Sequence, residues 1–295
     1  MRIVTYNTEG NWRAGIAIDD RIVDAAAAAE AAHFPTKDWT STRKFIQTPI
    51  IQRTAVGYAA RALVESGPDG VGVFPLAAVQ LGPPIPDPDK IICLGLNYRS
   101  HAEEAGFSVP KVPILFAKYP NALTGPASPI VLPGLSEEID YEGELAVVIG
   151  RTCKGVSAAK ALDYVAGYMA FNDVSARDLQ FRSGQWLSGK TLDTFAPCGP
   201  ALVIGEISDP QTLTIATRVN GQTLQEGHTK DMIFSVAESI AYISQLMTLQ
   251  PGDIIATGTP DGVGFKRTPP IFLRDGDIVE VEIERIGTLR NPVVA

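Results

Sequence analysis

The fold is decided at Asp140-Tyr141-Glu142-Gly143-Glu144, which runs directly into Leu145-Ala146-Val147-Val148-Ile149-Gly150. The second segment is short, apolar, β-branched and closed by glycine, which is typical of a buried strand. In an extended chain, residues two apart face the same side at a spacing of about 7 Å, so Glu142 and Glu144 point together at the edge of an apolar core. Two like charges there repel each other and lose hydration, and a divalent cation between them is the simplest remedy. The alternative is a pair of solvated carboxylates on a surface hairpin.

The composition places the chain among ordinary globular proteins. Of its 295 residues, 45% are hydrophobic and 20% charged, and the length suits one large domain or a large domain with a small one. A net charge of −8 without a basic patch argues against nucleic acid or anionic lipid as a partner, and no apolar run is long enough to cross a bilayer.

The residues at the N-terminus and the cysteine usage favour a cytoplasmic protein. Residues 1–6 are already strand-like, so no signal peptide is expected. The three cysteines are widely spaced, which predicts neither a disulfide framework nor a metal finger. With only three histidines in the chain, any bound cation is expected to have oxygen ligands.

A proline-rich and acidic segment divides the chain into two parts. It predicts a linker over residues 83–89, between a small N-terminal domain at 1–82 and a main domain at 90–295. The small domain is expected to contain an antiparallel β unit (1–24) and two helices (25–32 and 52–65). In the main domain we expect helices at 157–167 and 234–246, and strands at 91–95, 112–117, 145–149, 201–204, 212–219, 253–256 and 277–283. The fold class is therefore strand-dominated α+β.

A second group of chemically active side chains follows in Phe171-Asn172-Asp173-Val174-Ser175-Ala176-Arg177-Asp178-Leu179-Gln180. If Asp173 begins a helical turn, Arg177 lies one turn further on and Gln180 lies on the same side. Because arginine binds carboxylates through two parallel hydrogen bonds, this face suggests a carboxylate-bearing substrate beside a metal. A solvated Asp–Arg pair on a helix surface is the alternative.

Two further segments carry residues suited to catalysis. Lys190 lies between glycine and threonine in an apolar and aromatic setting, where it can provide a fixed positive charge, although an exposed loop lysine is equally compatible. His101 and Glu104 are three residues apart, so one helical turn would bring them together. A carboxylate bonded to imidazole raises its basicity, which is the usual arrangement for activating water.

These segments together resemble the fumarylacetoacetate hydrolase superfamily from about residue 91 to residue 294. The resemblance rests on five ordered motifs, which are LNYRSHAEE (96–104), DYEGELAVVIG (140–150), FNDVSARDLQ (171–180), GKTLDTFAPCGP (189–200) and ATGTPDGVG (256–264). It implies a mixed β-sheet roll, assembly as a homodimer, and a divalent cation held by Glu142, Glu144 and Asp173. The expected ion is Mg²⁺ or Mn²⁺ rather than Ca²⁺, because three carboxylates with open positions suit a hard cation that keeps waters or substrate oxygens.

The resemblance also implies roles for the remaining candidate residues. His101 and Glu104 form a dyad on a lid helix, and Lys190 polarises the substrate. Substrate contacts are expected from Arg177, Gln180, Lys118 and Thr259.

One position departs from the pattern of the animal fumarylacetoacetases. They carry an aspartate as a fourth metal ligand where this chain has Asn97. The chain is therefore closer to the smaller bacterial-type members, and fumarylacetoacetate itself is not the expected substrate.

The function expected from the sequence is hydrolysis of a carbon–carbon bond in a 2,4-diketo acid, an acylpyruvate, to pyruvate and a carboxylic acid. In this reaction the dyad activates water for attack on the C4 carbonyl, while Lys190 and the bound cation stabilise the pyruvate enolate that leaves. The same site could instead decarboxylate oxaloacetate or isomerise a 2-hydroxy-dienoate. A hypothesis of another class is a non-catalytic, β-rich binding module with a structural Ca²⁺ site.

Overall fold

The computed structural model describes residues 1–8, 10–67, 70–106 and 108–295, and it is organised around one large mixed sheet. Its described α-helices are α1 (Ala25–Ala31), α2 (Thr42–Gln47), α3 (Ile50–Glu65), α4 (Arg99–Ala105), α5 (Ala158–Ala161), α6 (Arg177–Gln180), α7 (Leu187–Lys190) and α8 (Val236–Leu246). No described helix has both the length and the apolar character required to span a bilayer.

The strands greatly outnumber the longer helices, which confirms the strand-dominated α+β class. The first ten are β1 (Arg2–Thr8), β2 (Asn11–Ile18), β3 (Arg21–Asp24), β4 (Val73–Pro75), β5 (Gln80–Gly82), β6 (Ile91–Gly95), β7 (Ile114–Lys118), β8 (Leu123–Thr124), β9 (Ile130–Val131) and β10 (Ile139–Asp140). The others are β11 (Gly143–Ile149), β12 (Val165–Asn172), β13 (Ser175–Ala176), β14 (Ala196–Val203), β15 (Thr214–Val219), β16 (Gln222–His228), β17 (Ile254–Ala256), β18 (Ile278–Ile283) and β19 (Gly287–Val294).

The strand expected at 145–149 lies in the interior of the large sheet as β11. The sheet order is β4-β3-β2-β1-β14-β12-β11-β17-β6-β7, and every residue of β11 is buried. β11 runs antiparallel to β12 and to β17, whereas β17 runs parallel to β6. Because of these directions, the start of β11 and the ends of β12, β17 and β6 meet at one edge of the sheet.

The N-terminal strands continue this sheet. β1 pairs with β14 in the register Arg2 to Val203, and it also pairs with β2 and β5. Residues 83–89 contain neither helix nor strand. One apolar cluster includes residues from both parts of the chain, among them Ile3, Trp39, Phe45, Met169, Phe171, Leu202 and Ile254. The small N-terminal unit and the main unit thus share a sheet and a core.

A five-stranded sheet, with the order β16-β15-β18-β19-β9, packs against the large one. A hairpin at Asn220-Gly221 joins β15 to β16, and both residues have positive φ, as this tight turn requires. β15 contacts β11, so the second sheet lies directly behind the strand that begins with Gly143.

The helix predicted over residues 157–167 is wrong beyond its first turns. α5 covers only Ala158–Ala161, a 3₁₀ turn follows at Leu162–Tyr164, and β12 begins at Val165. The segment Val165–Asn172 is apolar and aromatic, and it pairs with both β11 and β14. Pairing on two sides in the middle of the sheet therefore overrides the local helical pattern.

Candidate metal centre and active site

Three buried carboxylates converge where β11 begins and β12 ends. Gly143 lies opposite Asn172 in the β11–β12 register, so Asp173 leaves its strand beside Glu142 and Glu144. An oxygen from each of the three carboxylates lies within 4.8 Å of the others. The geometry is that of a candidate divalent-cation site.

Gly143 allows the second sheet to approach this site. A Cβ atom at this position would lie 2.1 Å from Thr217 Oγ1, a side-chain oxygen on β15. The Gly143 amide donates to Gln225 Oε1 at 2.9 Å. Only glycine therefore fits between the two glutamates while β15 packs behind them.

Two of the three carboxylates are paired with buried cations. Lys190 Nζ lies 2.8 Å from Glu142 Oε2 and 2.7 Å from Asp173 Oδ2. Arg177 Nη2 lies 2.7 Å from Glu142 Oε1, and Lys118 Nζ lies 2.7 Å from Asp173 Oδ1. Burial alone would lower the pKa of Lys190, but the charges of Asp173 and Glu142 outweigh burial and raise it. Lys190 is therefore a fixed positive charge at neutral pH.

Glu144 has no such partner. It accepts the Gly258 amide at 2.8 Å, and no lysine, arginine or histidine among the described residues forms an ion pair with it. Burial is the largest cause that raises the pKa of Glu144 well above its usual range, and the negative charges of Asp173 and Glu142 add to it. A buried carboxylate without a counter-ion is costly. The three residues therefore fit a divalent cation with oxygen ligands, and Glu142, Glu144 and Asp173 would hold it.

Arg177 does not share a helical face with Asp173, contrary to the sequence-based expectation. Asp173 follows a strand, and α6 begins only at Arg177. The guanidinium instead bonds Asp140 Oδ2 through Nε at 2.9 Å and Gln180 Oε1 through Nη1 at 2.9 Å. Its Cζ lies 4.3 Å from the centroid of the Phe265 ring. Arg177 and Gln180 are thus brought together, and both line the cavity.

Asp140 is a site residue to which the sequence reasoning gave no role. Its Oδ1 accepts the amides of Tyr141 and Gly264 at 2.8 and 2.7 Å. Its Oδ2 accepts the Phe265 amide at 3.1 Å besides the Arg177 guanidinium. The signal in the sequence was its position two residues before Glu142, which in extended chain places both carboxylates on one side.

The predicted dyad lies on α4, close to the cavity. His101 Nδ1 is 3.5 Å from Glu104 Oε2, in an orientation that does not make a hydrogen bond. The Glu104 carboxylate accepts the Gly262 amide at 3.1 Å, which ties α4 to the loop after β17. His101 lines the cavity and is 7% exposed. One helical turn therefore brings the two side chains together, as the spacing indicated.

Lys118 is placed behind the metal site and not in the cavity lining. Its ammonium donates to the carbonyls of Val174 at 2.9 Å and Phe195 at 2.6 Å and to that of Lys190, and it forms an ion pair with Asp173. The side chain is 1% exposed. Its contacts hold Asp173 in position, while the predicted contact with substrate has no open path in this conformation.

The hydroxyl of Thr259 is likewise engaged by the protein. It donates to the Gly143 carbonyl at 2.9 Å and accepts the Gln225 amide at 2.7 Å. Gln225, buried on β16, also donates to the Pro260 carbonyl at 2.9 Å. Thr259 lines the cavity, and the bonded hydroxyl links its loop to the strand that carries the glutamates.

These side chains surround a small cavity of about 40 Å³ with both polar and aromatic lining residues. Its lining comprises Leu94, Gly95, Leu96, His101, Phe116, Glu142, Glu144, Arg177, Gln180, Phe181, Trp186, Lys190, Thr259 and Phe265. Carboxylates that suit a cation, two buried positive charges and an imidazole thus face one another in a space suited to a small acid.

Comparison with known proteins agrees with this geometry. The chain matches the family described as "Fumarylacetoacetate (FAA) hydrolase C-terminal" over residues 90–294. It is 49% identical over 243 residues to the mitochondrial oxaloacetate tautomerase Fahd2a of Rattus norvegicus, a match that covers 82% of this chain and 76% of that protein.

Two solved structures share the whole fold. The fumarylacetoacetate hydrolase from Exiguobacterium antarcticum is 36% identical with a TM-score of 0.82, and the match covers 100% of this chain and 99% of that one. The 2-hydroxyhepta-2,4-diene-1,7-dioate isomerase from Mycobacterium marinum is 37% identical with a TM-score of 0.75, covering 100% and 98%. The resemblance carried by the five motifs is thereby confirmed. The chain belongs to the fumarylacetoacetate hydrolase family and is an enzyme of that superfamily.

Proposed function

We propose that this enzyme catalyses the keto–enol tautomerisation of a small 2-oxo dicarboxylic acid such as oxaloacetate, with a divalent cation at the acidic triad. The observation that carries the proposal is the buried cluster in which Glu144 lacks a counter-ion while Lys190 and Arg177 face the same cavity. With a divalent cation at the triad, such a site would favour negative charge on a bound oxo acid, which is the charge of an enolate. The relative of Rattus norvegicus, named an oxaloacetate tautomerase, supports tautomerisation over the hydrolysis expected from the sequence.

The positive charges suit a substrate with a carboxylate. Gln180 accepts from Arg177, and its amide nitrogen makes no hydrogen bond among the described residues, so it can donate to a substrate oxygen. Lys190 Nζ lies 5.1 Å from the centroid of the Phe116 ring, so a positive charge and an aromatic surface are adjacent in the cavity. These groups orient a planar oxo acid with its oxygens toward the triad.

Tautomerisation moves one proton between C3 and the oxygen on C2. His101 removes the C3 proton and returns a proton to that oxygen, while Lys190 stabilises the negative charge between the two steps. A divalent cation held by Glu142, Glu144 and Asp173 would supply Lewis-acid stabilisation of the enolate charge. Glu104 keeps α4 against the Gly262 loop and holds the imidazole close to the cavity.

The other reactions open to this site begin with the same enolate. Hydrolysis of an acylpyruvate would use His101 and Glu104 to activate water, and the relative of Exiguobacterium antarcticum is named a hydrolase. Decarboxylation of oxaloacetate or isomerisation of a 2-hydroxy-dienoate needs no activated water, and the relative of Mycobacterium marinum is named an isomerase. A purely structural Ca²⁺ site gives no reason for Lys190 and Arg177 to line a cavity.

Product analysis with Mg²⁺ or Mn²⁺ distinguishes these reactions. We expect fast equilibration of enol-oxaloacetate with the keto form, followed by ultraviolet absorbance, and loss of this activity on chelation. Release of carbon dioxide would favour the decarboxylase. Release of pyruvate from an acylpyruvate, without faster tautomerisation of oxaloacetate, would overturn the proposal in favour of the hydrolase.

The role of His101 has its own test. His101→Ala should retain the fold and metal binding yet lower turnover by about 10²–10⁴-fold, because it removes the group that transfers the proton. His33→Asn is the matched control, since His33 is exposed and asparagine tolerates its φ of 62°. Steady-state kinetics measures the turnover, and calorimetric titration with Mn²⁺ measures metal binding. Equal turnover in both variants would contradict the assignment.

We also propose that the enzyme is a homodimer located in the cytoplasm. The family resemblance supports the dimer. The composition and the cysteine usage support the cytoplasmic location. Light scattering on the purified chain measures the oligomeric state, and fractionation of the source cells measures the location.

A further inference from the structure

Trp186 forms a wall of the cavity that packs closely against its neighbours. A Cβ atom on Gly95 would lie 2.4 Å from Cζ3 and 2.9 Å from Cη2 of the indole, so the ring is already in contact with the backbone at the end of β6. On another side the indole packs edge-on against Phe116, with ring centroids 5.5 Å apart and planes at 71°. Both neighbours line the same cavity.

This wall has a fixed distance from the reacting groups. Lys190 Nζ lies 5.1 Å from the centroid of the Phe116 ring, and the same ammonium bonds Glu142 and Asp173. A chain of direct contacts therefore runs from the metal site through Lys190 and Phe116 to Trp186. The indole sets how far a substrate anchored at the triad can extend.

A second aromatic pair in the cavity lining is more yielding. Phe181 and Phe265 pack together with centroids 5.8 Å apart, and Phe181 is 50% exposed. An exposed ring can turn into solvent, whereas Trp186 has a strand behind it. The limit on substrate length is therefore set on the Trp186 side.

We propose that Trp186, held in place by Gly95, is a specificity-determining residue that restricts the enzyme to short 2-oxo acids and excludes those with a long chain beyond C4. This inference rests on the proposed function, because it assumes that the oxo-acid end binds at the triad. In a space of about 40 Å³, a methylene that extends toward Trp186 must displace either the indole or the substrate. One methylene in an apolar pocket changes discrimination by about 10–200-fold.

The first test compares two substrates in the metal-loaded full chain. Trp186→Ala should raise kcat/KM for 2,4-dioxo-octanoate relative to oxaloacetate by at least about tenfold. Trp12→Ala is the matched control, because Trp12 also packs against a glycine, Gly82, but on the N-terminal strands. If the ratio of kcat/KM for 2,4-dioxo-octanoate to kcat/KM for oxaloacetate is the same in Trp186→Ala, in Trp12→Ala and in the native enzyme, the proposal is overturned.

A second pair of variants tests the contact itself. Gly95→Ala should push the indole into the cavity and lower kcat/KM for oxaloacetate, whereas Gly95→Ala combined with Trp186→Ala should recover most of that loss. Gly82→Ala should leave kcat/KM unchanged, since the half-exposed Trp12 can turn away. Equal losses in the single and double variants would show that Gly95 does not act through Trp186.

Binding separates this inference from the proposed function. If the native enzyme turns over neither acid, the tautomerase proposal fails, and calorimetry with 2-oxobutanoate and 2-oxo-octanoate in the presence of Mn²⁺ tests the wall alone. Trp186→Ala should then lower Kd for the longer acid only. Equal changes for both acids would overturn the role of Trp186.

Discussion

At the scale of single residues, charge pairing explains most of the site, and Glu144 is the exception. Lys190, Arg177 and Lys118 hold Glu142 and Asp173, whereas among the described residues Glu144 is bonded only by the Gly258 amide. An isolated carboxylate in an apolar interior loses more hydration than one amide returns. The metal-free protein thus bears an electrostatic cost that a bound cation would remove.

Glu144→Gln should therefore change stability in opposite directions with and without metal. In the presence of a chelator we expect the free energy of unfolding to rise by about 1–4 kcal/mol, because glutamine avoids the cost of burying an unpaired carboxylate or of protonating it on folding. In Mn²⁺ the variant should gain less stability than the native chain, since it offers one carboxylate fewer. Thermal melts in both conditions measure this, and destabilisation without metal would contradict the account of Glu144.

Asp140 should act on substrate binding through Arg177. In Asp140→Asn an amide N–H₂ can replace the oxygen that accepts from the Arg177 guanidinium. The guanidinium then loses its fixed orientation. We expect kcat/KM for oxaloacetate to fall about 10–100-fold, mainly through KM. Asp178→Asn is the control, because Asp178 pairs at 3.6 Å with the exposed Arg182. A loss entirely in kcat would argue against a role in orienting Arg177.

At the scale of elements, local sequence patterns predicted a helix or strand correctly where the tertiary environment favours the same structure. The buried strand expected at 145–149 was found as Gly143–Ile149. The helix expected at 234–246 was found as Val236–Leu246, where Ser235 and Glu238 form a reciprocal cap. The helix expected at 157–167 was wrong, since its second half pairs within the sheet.

Asp24 joins a strand to a helix and links stability to pH. It caps α1 through the Ala27 amide at 3.0 Å and bonds Arg13 and the Tyr6 hydroxyl, each at 2.6 Å. Burial would raise the pKa of Asp24, but the hydrogen bonds from Arg13, Tyr6 and Ala27 outweigh it and lower this pKa. Its contribution is therefore complete above the unfolded value of about 3.9 and is lost as pH falls through the lower folded value.

Replacement of Asp24 should remove this acid-sensitive part of the stability. Asp24→Asn should lower the free energy of unfolding by about 1–3 kcal/mol at neutral pH and by less as pH falls below about 4. The neighbouring Asp20, whose side chain is 84% exposed, provides the control Asp20→Asn. Urea unfolding across this pH range measures both variants. If the free energy of unfolding of Asp24→Asn differs from that of the native chain by the same amount at every pH, Asp24 does not stabilise the fold through its ionised carboxylate.

At the scale of the whole molecule, the N-terminal strands are structurally continuous with the catalytic part. β1 pairs with β14, and Ile3 packs in the cluster that contains Phe171 and Leu202. Phe171 lies on β12, two residues before Asp173. The sheet that positions the acidic triad therefore begins in the N-terminal part.

Removal of residues 1–82 should leave an unstable protein. The truncated chain 83–295 would expose the edge of β14 and the apolar face beneath it. We expect aggregation, or a melting temperature lowered by more than 10 °C, with loss of activity, because a single kcal/mol already shifts Tm by a few degrees. Solubility and calorimetry measure the outcome. A stable, active 83–295 would show that the predicted domain division at 83–89 is also an energetic one.

The sequence by itself determined the buried strand, the α+β class, the acidic triad as a candidate, and the spacing that brings His101 to Glu104. All of these depend on residues close together in the chain or on motifs in a fixed order. Only the tertiary structure decided that Asp140 orients Arg177, that Lys118 lies behind Asp173, and that Gln225 and Thr259 link the second sheet to Gly143. It also decided that Gly95 holds Trp186 against the cavity. The physical reason is that these contacts join segments far apart in the chain, and strand register and packing fix which distant side chains meet.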